Sequence, residues 1–351
     1  ICTFHGFCVK LLREDIHAIN FPQNFVVMDD EDTEEILKTV YENAHIQSRT
    51  YTFDSARDHI TALKSQMLHI PYLAEIGNEK LLADYEKAEK VEDKVFLGYL
   101  YEQKKVYGLD YDDLITIALY ILQTDETKRI KWQERMMYVM VDEFQDVSSS
   151  QYALAEILSG YHRNLFIVGD PDQTIYTWRG AQIEYILEFD ETHENTRTIF
   201  LDMNYRSTPE ILAVSNSLIE KNKKRLPHRL EAYKESGRRP IYIHSRTTGD
   251  EAQWMTSEIQ RLMSEGASYN EMAVLYRSHF VSRNIEESFI KAKIPYTLYS
   301  GVEFYKRKEI KDVLAYLRMI VYSDDLSFRR VINEPKRNFG KKRMALVKAY
   351  A

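Results

Sequence analysis

The chain has 351 residues, with 47 Lys and Arg against 54 Asp and Glu, a formal net charge of -7, and two cysteines. That length suits two or three domains rather than one. The acidic balance excludes a globally basic surface, so any nucleic-acid contact must come from local basic patches and stacking.

The cysteines, Cys2 and Cys8, are neither a disulfide framework nor a metal spacing, which fits a reducing compartment. No apolar run approaches the roughly 18 residues of a membrane span, and ICTFHGFC lacks the charged start and long apolar core of a signal peptide. The expected location is therefore cytoplasmic, without a membrane. The chain opens on Ile rather than Met, from which a fragment is expected.

From about Asp32 to Gln123 apolar residues recur at helical spacing, as in Ile36, Leu37, Val40, Tyr41 and in Leu114, Ile117, Ala118, Ile121. This block reads as all helical. Its mixed-charge segment, residues 79–108, reads as a solvated helix face. After Lys131 short apolar runs alternate with amphipathic segments: YVMVDE, NLFIVGD, TIFLDMN, PIYIHSR and MAVLYRS. That alternation predicts parallel sheets covered by helices, an α/β fold with its functional residues beyond the strand ends. Ser148 with Gln151 and Ser207 with Glu210 have capping-box spacing, and Pro209 suits a first helical turn. Lys221, Lys223, Lys224 and Arg225 are expected at a helix end, where cations complement the dipole.

YVMVDEFQDV places Asp142 and Glu143 at the end of an apolar run. There the first carboxylate can hold Mg²⁺ and the second can take a proton from an attacking water, the hydrolytic half of a P-loop ATPase. Taken alone, the pair is equally what ordinary acidic strand ends provide. Two more runs, however, end in dense polar and aromatic clusters, PDQTIYTWRGA and YRSTPEIL.

Together these stretches resemble the superfamily 1 DNA helicases of the UvrD, Rep and PcrA type. VDEFQD resembles their motif II, GDPDQTIYTWRGA motif III, LDMNYRST motif IV and TFHG motif Ib, and AVLYRS and VEFYKRKEIKDVLAYLR follow in order. The resemblance implies RecA-like motor domains: an incomplete 1A (1–20 and 131–198), an inserted helical 1B (21–130), a 2A (199–305) and the start of a helical 2B (306–351). It implies a 3′ to 5′ helicase that couples ATP hydrolysis to movement on single-stranded DNA and at duplex junctions, in repair or replication, with accessory proteins as further partners. Asp142 would ligate the Mg²⁺ of MgATP and Glu143 would be the general base. Gln173 would sense the γ-phosphate, Tyr205 would stack on adenine, and Arg206 would be an arginine finger. Trp178, with Tyr176 and Arg179, would stack on bases. Phe4, His5 and Arg277 would touch the same strand.

Other readings stay open for single residues. Trp178 and Tyr176 could be rim aromatics, Arg206 a surface ion pair, and Gln173 a partner of a loop carbonyl. Gly6 stands where the family has Ser, which removes one hydroxyl from the DNA contact. EPKRNFGKKR resembles the family's duplex-binding hairpin, with Asn338 where Gly is frequent.

A phosphate-cradling G-x-x-x-x-G-K-[ST] is missing from the 351 residues; Gly340 and Lys341 are followed by Lys342. ATPase inactivity of this polypeptide alone is therefore expected, and so is a gap or an exposed edge in the 1A sheet. Two rivals remain. One is a two-metal nuclease or phosphatase using Asp142, Glu143 and Asp146 with Asp170 and Asp172, for which no matching His is evident. The other is a catalytically silent DNA- or protein-binding module.

Overall fold

The computed structural model describes residues 1–226, 228–278, 281–299, 308–340, 343, 344, 346 and 347, of Arg179 the backbone only. The chain forms two compact units, one of Ile1–Phe200, Ile219–His228 and Ala315–Ala351, the other of Leu201–Leu218 and Arg229–Leu314.

The first unit opens with helix α1 (Phe4–Asp15), capped by the Thr3 hydroxyl, which accepts from Gly6 N at 3.1 Å. A two-residue strand β1 (Val26–Val27) leads into α2 (Asp30–Asn43), whose capping box joins Asp29 and Asp32. Then come α3 (Phe53–Ser65), the short α4 (Ile70–Leu73), α5 (Glu79–Lys87) and α6 (Val91–Lys105). Strand β2 (Gly108–Leu109) pairs in parallel with β1 and precedes α7 (Tyr111–Thr124) and α8 (Glu126–Arg135). The helical period read from residues 32–123 is realised except at Gly108–Leu109, where strand β2, paired with β1, corrects the all-helical reading. Ile36, Leu37, Val40 and Tyr41 face one core with α3 and α6, while Leu114, Ile117, Ala118 and Ile121 face another with Cys8, Leu11 and Leu12 of α1. Each such aliphatic side chain contributes about 1.5–3 kcal/mol by leaving water. The contact of α2 with α6 depends on Gly98, where a Cβ would lie 2.9 Å from Val40 Cγ1.

A buried ion cluster knits α3, α6 and α7. Lys64 Nζ, fully buried, lies 2.5 Å from Asp110 Oδ2 and 2.8 Å from Asp113 Oδ1, and the Tyr99 hydroxyl donates to Asp110 Oδ2 at 2.7 Å. One ammonium serves two carboxylates, so their charges separate. Burial works against the charge of Asp110, but Lys64 outweighs it and holds this carboxyl low, at about 2. Burial and the Asp110 charge push Asp113 up to about 7 against the pull of Lys64.

Beyond α8, β3 (Val139–Val141) runs into a 3₁₀ turn, Phe144–Asp146, and α9 (Ser149–Ser159). The Ser148–Gln151 capping box is formed, with Ser148 N donating to Gln151 Oε1 at 3.0 Å. Strand β4 (Leu165–Ile167) pairs in parallel with β3 in the register Val139↔Leu165, Met140↔Phe166, Val141↔Ile167. Two short helices, α10 (Glu184–Leu187) and α11 (Phe189–Thr192), follow; Phe189 packs on Phe144 and Val141.

In the second unit β5 (Met203–Asn204) pairs in parallel with β6 (Glu231–Ala232). Helix α12 (Pro209–Ile219) follows β5, and α13 (Thr248–Ser264) packs on α14 (Ser282–Lys291) through Ala252, Ile285 and Phe289. Helix α15 (Lys308–Tyr322) crosses from the second unit into the first at Leu314–Ala315, and α16 (Asp325–Val331), in the first unit, ends the described elements; Leu326 of α16 joins the α2–α6 core.

Several sequence expectations are corrected here. TIFLDMN is strand only at Met203–Asn204, and PIYIHSR and MAVLYRS carry no ladder among the described residues. Leu275 is 93% exposed and Ile241 is also exposed. Alternation gives a strand its faces, but its backbone still needs a hydrogen-bonded neighbour. The Ser207–Glu210 box does not form. Instead the Glu210 carboxylate accepts from Gly237 N at 2.9 Å and from the Ser236 hydroxyl, and these bonds hold it at about 2. Pro209 does open α12. The basic run at 221–225 lies beyond α12, and Lys224 meets Glu184 at 2.6 Å instead of a helix terminus.

Candidate active site and nucleic-acid interface

The end of β3 makes an unusual turn. Glu143 has φ 52° and ψ 42°, the left-handed region, which costs a side-chain-bearing residue about 1–3 kcal/mol. The turn is held by Asp142 Oδ1, which accepts from Glu143 N at 3.0 Å, and by Asp146 N, which donates to Glu143 O at 3.0 Å. Both acids stay exposed while Phe144 and Gln145 between them and the helix are buried. Asp142 spends only Oδ1 on the backbone. A carboxylate oxygen open to solvent, completed by waters and phosphate oxygens, is what Mg²⁺ requires of a protein, so the residue fits that ion.

The loop after β4 lies against this turn. Gln145 Nε2 donates to Glu143 Oε2 at 2.8 Å, and Gln145 Oε1 accepts from Asp170 N at 3.1 Å. Asp170 in turn accepts from Gln173 Nε2 at 2.7 Å. The loop then returns to α9: Ala181 bridges to Ser148, and Gln182 Nε2 donates to Ser149 Oγ at 2.8 Å. Trp178, in the 3₁₀ turn Thr177–Arg179, is 67% exposed, with Tyr176 tilted beside it at 6.4 Å between ring centroids. The side chain of Arg179 lies outside the described residues.

At the start of α1, Phe4 is half-buried against both neighbouring cores. His5 packs edge-on to Tyr111 at 5.4 Å, and burial lowers its pKa despite the nearby Asp112. In the second unit Asn204 Oδ1 accepts from Arg206 N at 3.0 Å and Ser207 N at 2.8 Å, leaving Tyr205 and Arg206 exposed at the end of β5. Tyr205 leans on Tyr233 with centroids 4.9 Å apart. Arg277 is exposed. The structure therefore brings Asp142, Glu143 and Gln173 into one cluster through Gln145 and Asp170, with Tyr176 and Trp178 farther along the same loop.

Sequence reasoning missed Gln145, although it stands inside VDEFQD, and it missed the ion pair of Arg225 with Asp172 at 3.0 Å. It also found no His for a second metal cluster, whereas His228 has a ligand atom within 4.8 Å of those of Asp170 and Asp172. Arg225 already neutralises Asp172 there, which disfavours a cation. Asn338 has φ 54°, in the left-handed region, a conformation Asn tolerates. Lys341, Lys342 and residues 302–307 lie outside the described residues.

Residues 1–194 match the family model for the UvrD/REP helicase N-terminal domain, and residues 199–350 match that for the UvrD-like helicase C-terminal domain. The chain belongs to the UvrD/REP helicase family. It is 38% identical over 350 residues to the ATP-dependent DNA helicases PcrA of Staphylococcus epidermidis and of Staphylococcus aureus. Those alignments take in 99% of this chain and 47% of each relative, so the chain spans about half the length of the curated relatives it matches. The α/β class with small parallel sheets amid abundant helix is the RecA-like fold of UvrD/REP helicase domains. Among the described residues no helix is long and apolar enough to cross a membrane.

Proposed function

We propose that these residues form part of an ATP-dependent DNA helicase that moves 3′ to 5′ on single-stranded DNA. The observation that carries the reading is the exposed acid pair on a left-handed turn, tied through Gln145 to the loop that bears Gln173 and Trp178. In this reading Glu143 takes the proton of the hydrolytic water, a role worth about 10²–10⁴-fold in rate. Asp142 would hold Mg²⁺, which when bound offsets charge on the phosphate oxygens. Gln173 orients toward the γ-phosphate, Tyr205 offers its exposed ring to adenine, and Arg206 supplies a cation for transition-state charge. Trp178 and Tyr176, with Arg179 as their neighbour in the chain, give π-faces to bases without regard to sequence, while Phe4, His5 and Arg277 would each touch the DNA strand. Single-stranded DNA and duplex junctions are then the partners, with repair or replication proteins as accessories, in the cytoplasm.

The boundaries proposed for the family domains are 1–20 and 131–198 for 1A, 21–130 for 1B, 199–305 for 2A and 306–351 for 2B. The test is strand separation by the longer protein containing these residues, on duplexes with a single-stranded 3′ or 5′ tail. ATP-dependent opening from the 3′ tail alone is expected. Opening from the 5′ tail alone would overturn the polarity, and no ATP-dependent opening of either would overturn the helicase reading.

A further inference from the structure

We propose that Gln145 is a positioning residue for the Glu143 carboxylate and couples its orientation to the loop carrying Gln173. The proposal rests on the reading of Glu143 as the general base. Gln145 is 2% exposed, and each end of its amide has a defined partner: Nε2 donates to Glu143 Oε2 at 2.8 Å, and Oε1 accepts from Asp170 N at 3.1 Å. Only this amide orientation is possible. Reversing it would set Oε1 against a carboxylate oxygen and the NH₂ group against a backbone N–H, two repulsive contacts for a buried group.

The geometry continues outward. Asp170 accepts from Asp172 N at 3.0 Å and from Gln173 Nε2 at 2.7 Å. Glu143, Gln145, Asp170 and Gln173 are thus joined by three consecutive contacts, the middle one through a backbone amide. Gly169 makes room for the junction. A Cβ there would lie 2.6 Å from Gln145 Oε1 and 3.0 Å from Phe144 N, so any side chain would lift the loop off the amide. A carboxylate on an exposed, strained turn has many rotamers, and a buried donor to one oxygen selects among them.

The test uses the longer protein and two variants. Gln145→Ala removes both contacts. Gln145→Glu keeps an acceptor for Asp170 N but has no donor for Glu143. If Gln145 positions the base, both variants lose about 100-fold in kcat, while KM for ATP, binding of a fluorescent ATP analogue and affinity for oligo-dT stay within about twofold of wild type. A merely structural tie between the two loops would be restored by Gln145→Glu. A Gln145→Glu variant with kcat within about threefold of wild type would therefore overturn the proposal. So would a rise in KM at unchanged kcat, or melting of both variants below the assay temperature, which would make Gln145 a core residue only. An inactive wild type would remove the general-base reading and this proposal with it, whereas an active wild type with unaffected variants would remove this proposal alone.

Discussion

Trp178 shows how a single residue's exposure bears on function. A tryptophan that is 67% exposed on a loop anchored at both ends gains nothing for the core. Its large π-face in water is costly unless something covers it, and base stacking contributes about 1–3 kcal/mol per base. Trp178→Ala is expected to weaken oligo-dT binding by the longer protein about tenfold or more, read by fluorescence anisotropy, with Trp178→Phe losing less. Equal affinity in all three would contradict the stacking role. Arg225 illustrates the limits of the sequence at this scale. Its place in a basic run says nothing of Asp172, about fifty residues earlier, which it meets at 3.0 Å. Gln145 is similar: its type and position are legible in VDEFQD, but the Asp170 amide it accepts from is fixed only by the parallel pairing of β3 with β4.

Among the elements, the α3–α6–α7 junction stands out because it buries charge. Removing one member of such a cluster leaves an uncompensated charge and costs about 3–5 kcal/mol. Lys64→Met should therefore lower the thermal unfolding midpoint sharply; an unchanged midpoint would contradict the burial of the pair. The pH dependence has a definite sign. Asp113 is held at about 7, above an unfolded carboxyl, so its contribution is fully present below the unfolded value and is lost as pH rises through about 7. Asp110, held at about 2, works oppositely and loses its contribution only in strong acid. Between pH 5 and 8 the wild-type midpoint should fall with rising pH by the share of Asp113, and Asp113→Asn should flatten that slope whatever its absolute stability.

Helices α2 to α7 and the Ser148 cap were legible because period and capping are local. PIYIHSR and MAVLYRS were not, because a strand is defined by a neighbour the local sequence does not contain. Glu210 likewise has a distant competitor, the Ser236–Gly237 turn, for the carboxylate that its spacing from Ser207 assigns to a cap.

For the whole molecule, family membership sets the context and the site chemistry sets the expectations. The 351 residues contain no G-x-x-x-x-G-K-[ST]. Three or four charge-assisted bonds from such a loop, about 1.5–3 kcal/mol each, rival the entire 8 kcal/mol or so of a micromolar ligand. Residues 1–351 alone are therefore expected to release no phosphate from ATP with single-stranded DNA and Mg²⁺; robust turnover by this polypeptide would overturn that expectation. The central claim is that Glu143 is the base of a DNA-stimulated ATPase, and phosphate release by the longer protein, with and without Glu143→Gln, tests it most directly. The account predicts DNA-stimulated turnover that falls at least about 100-fold in the variant while binding of a fluorescent ATP analogue persists. Turnover undiminished by Glu143→Gln would contradict it.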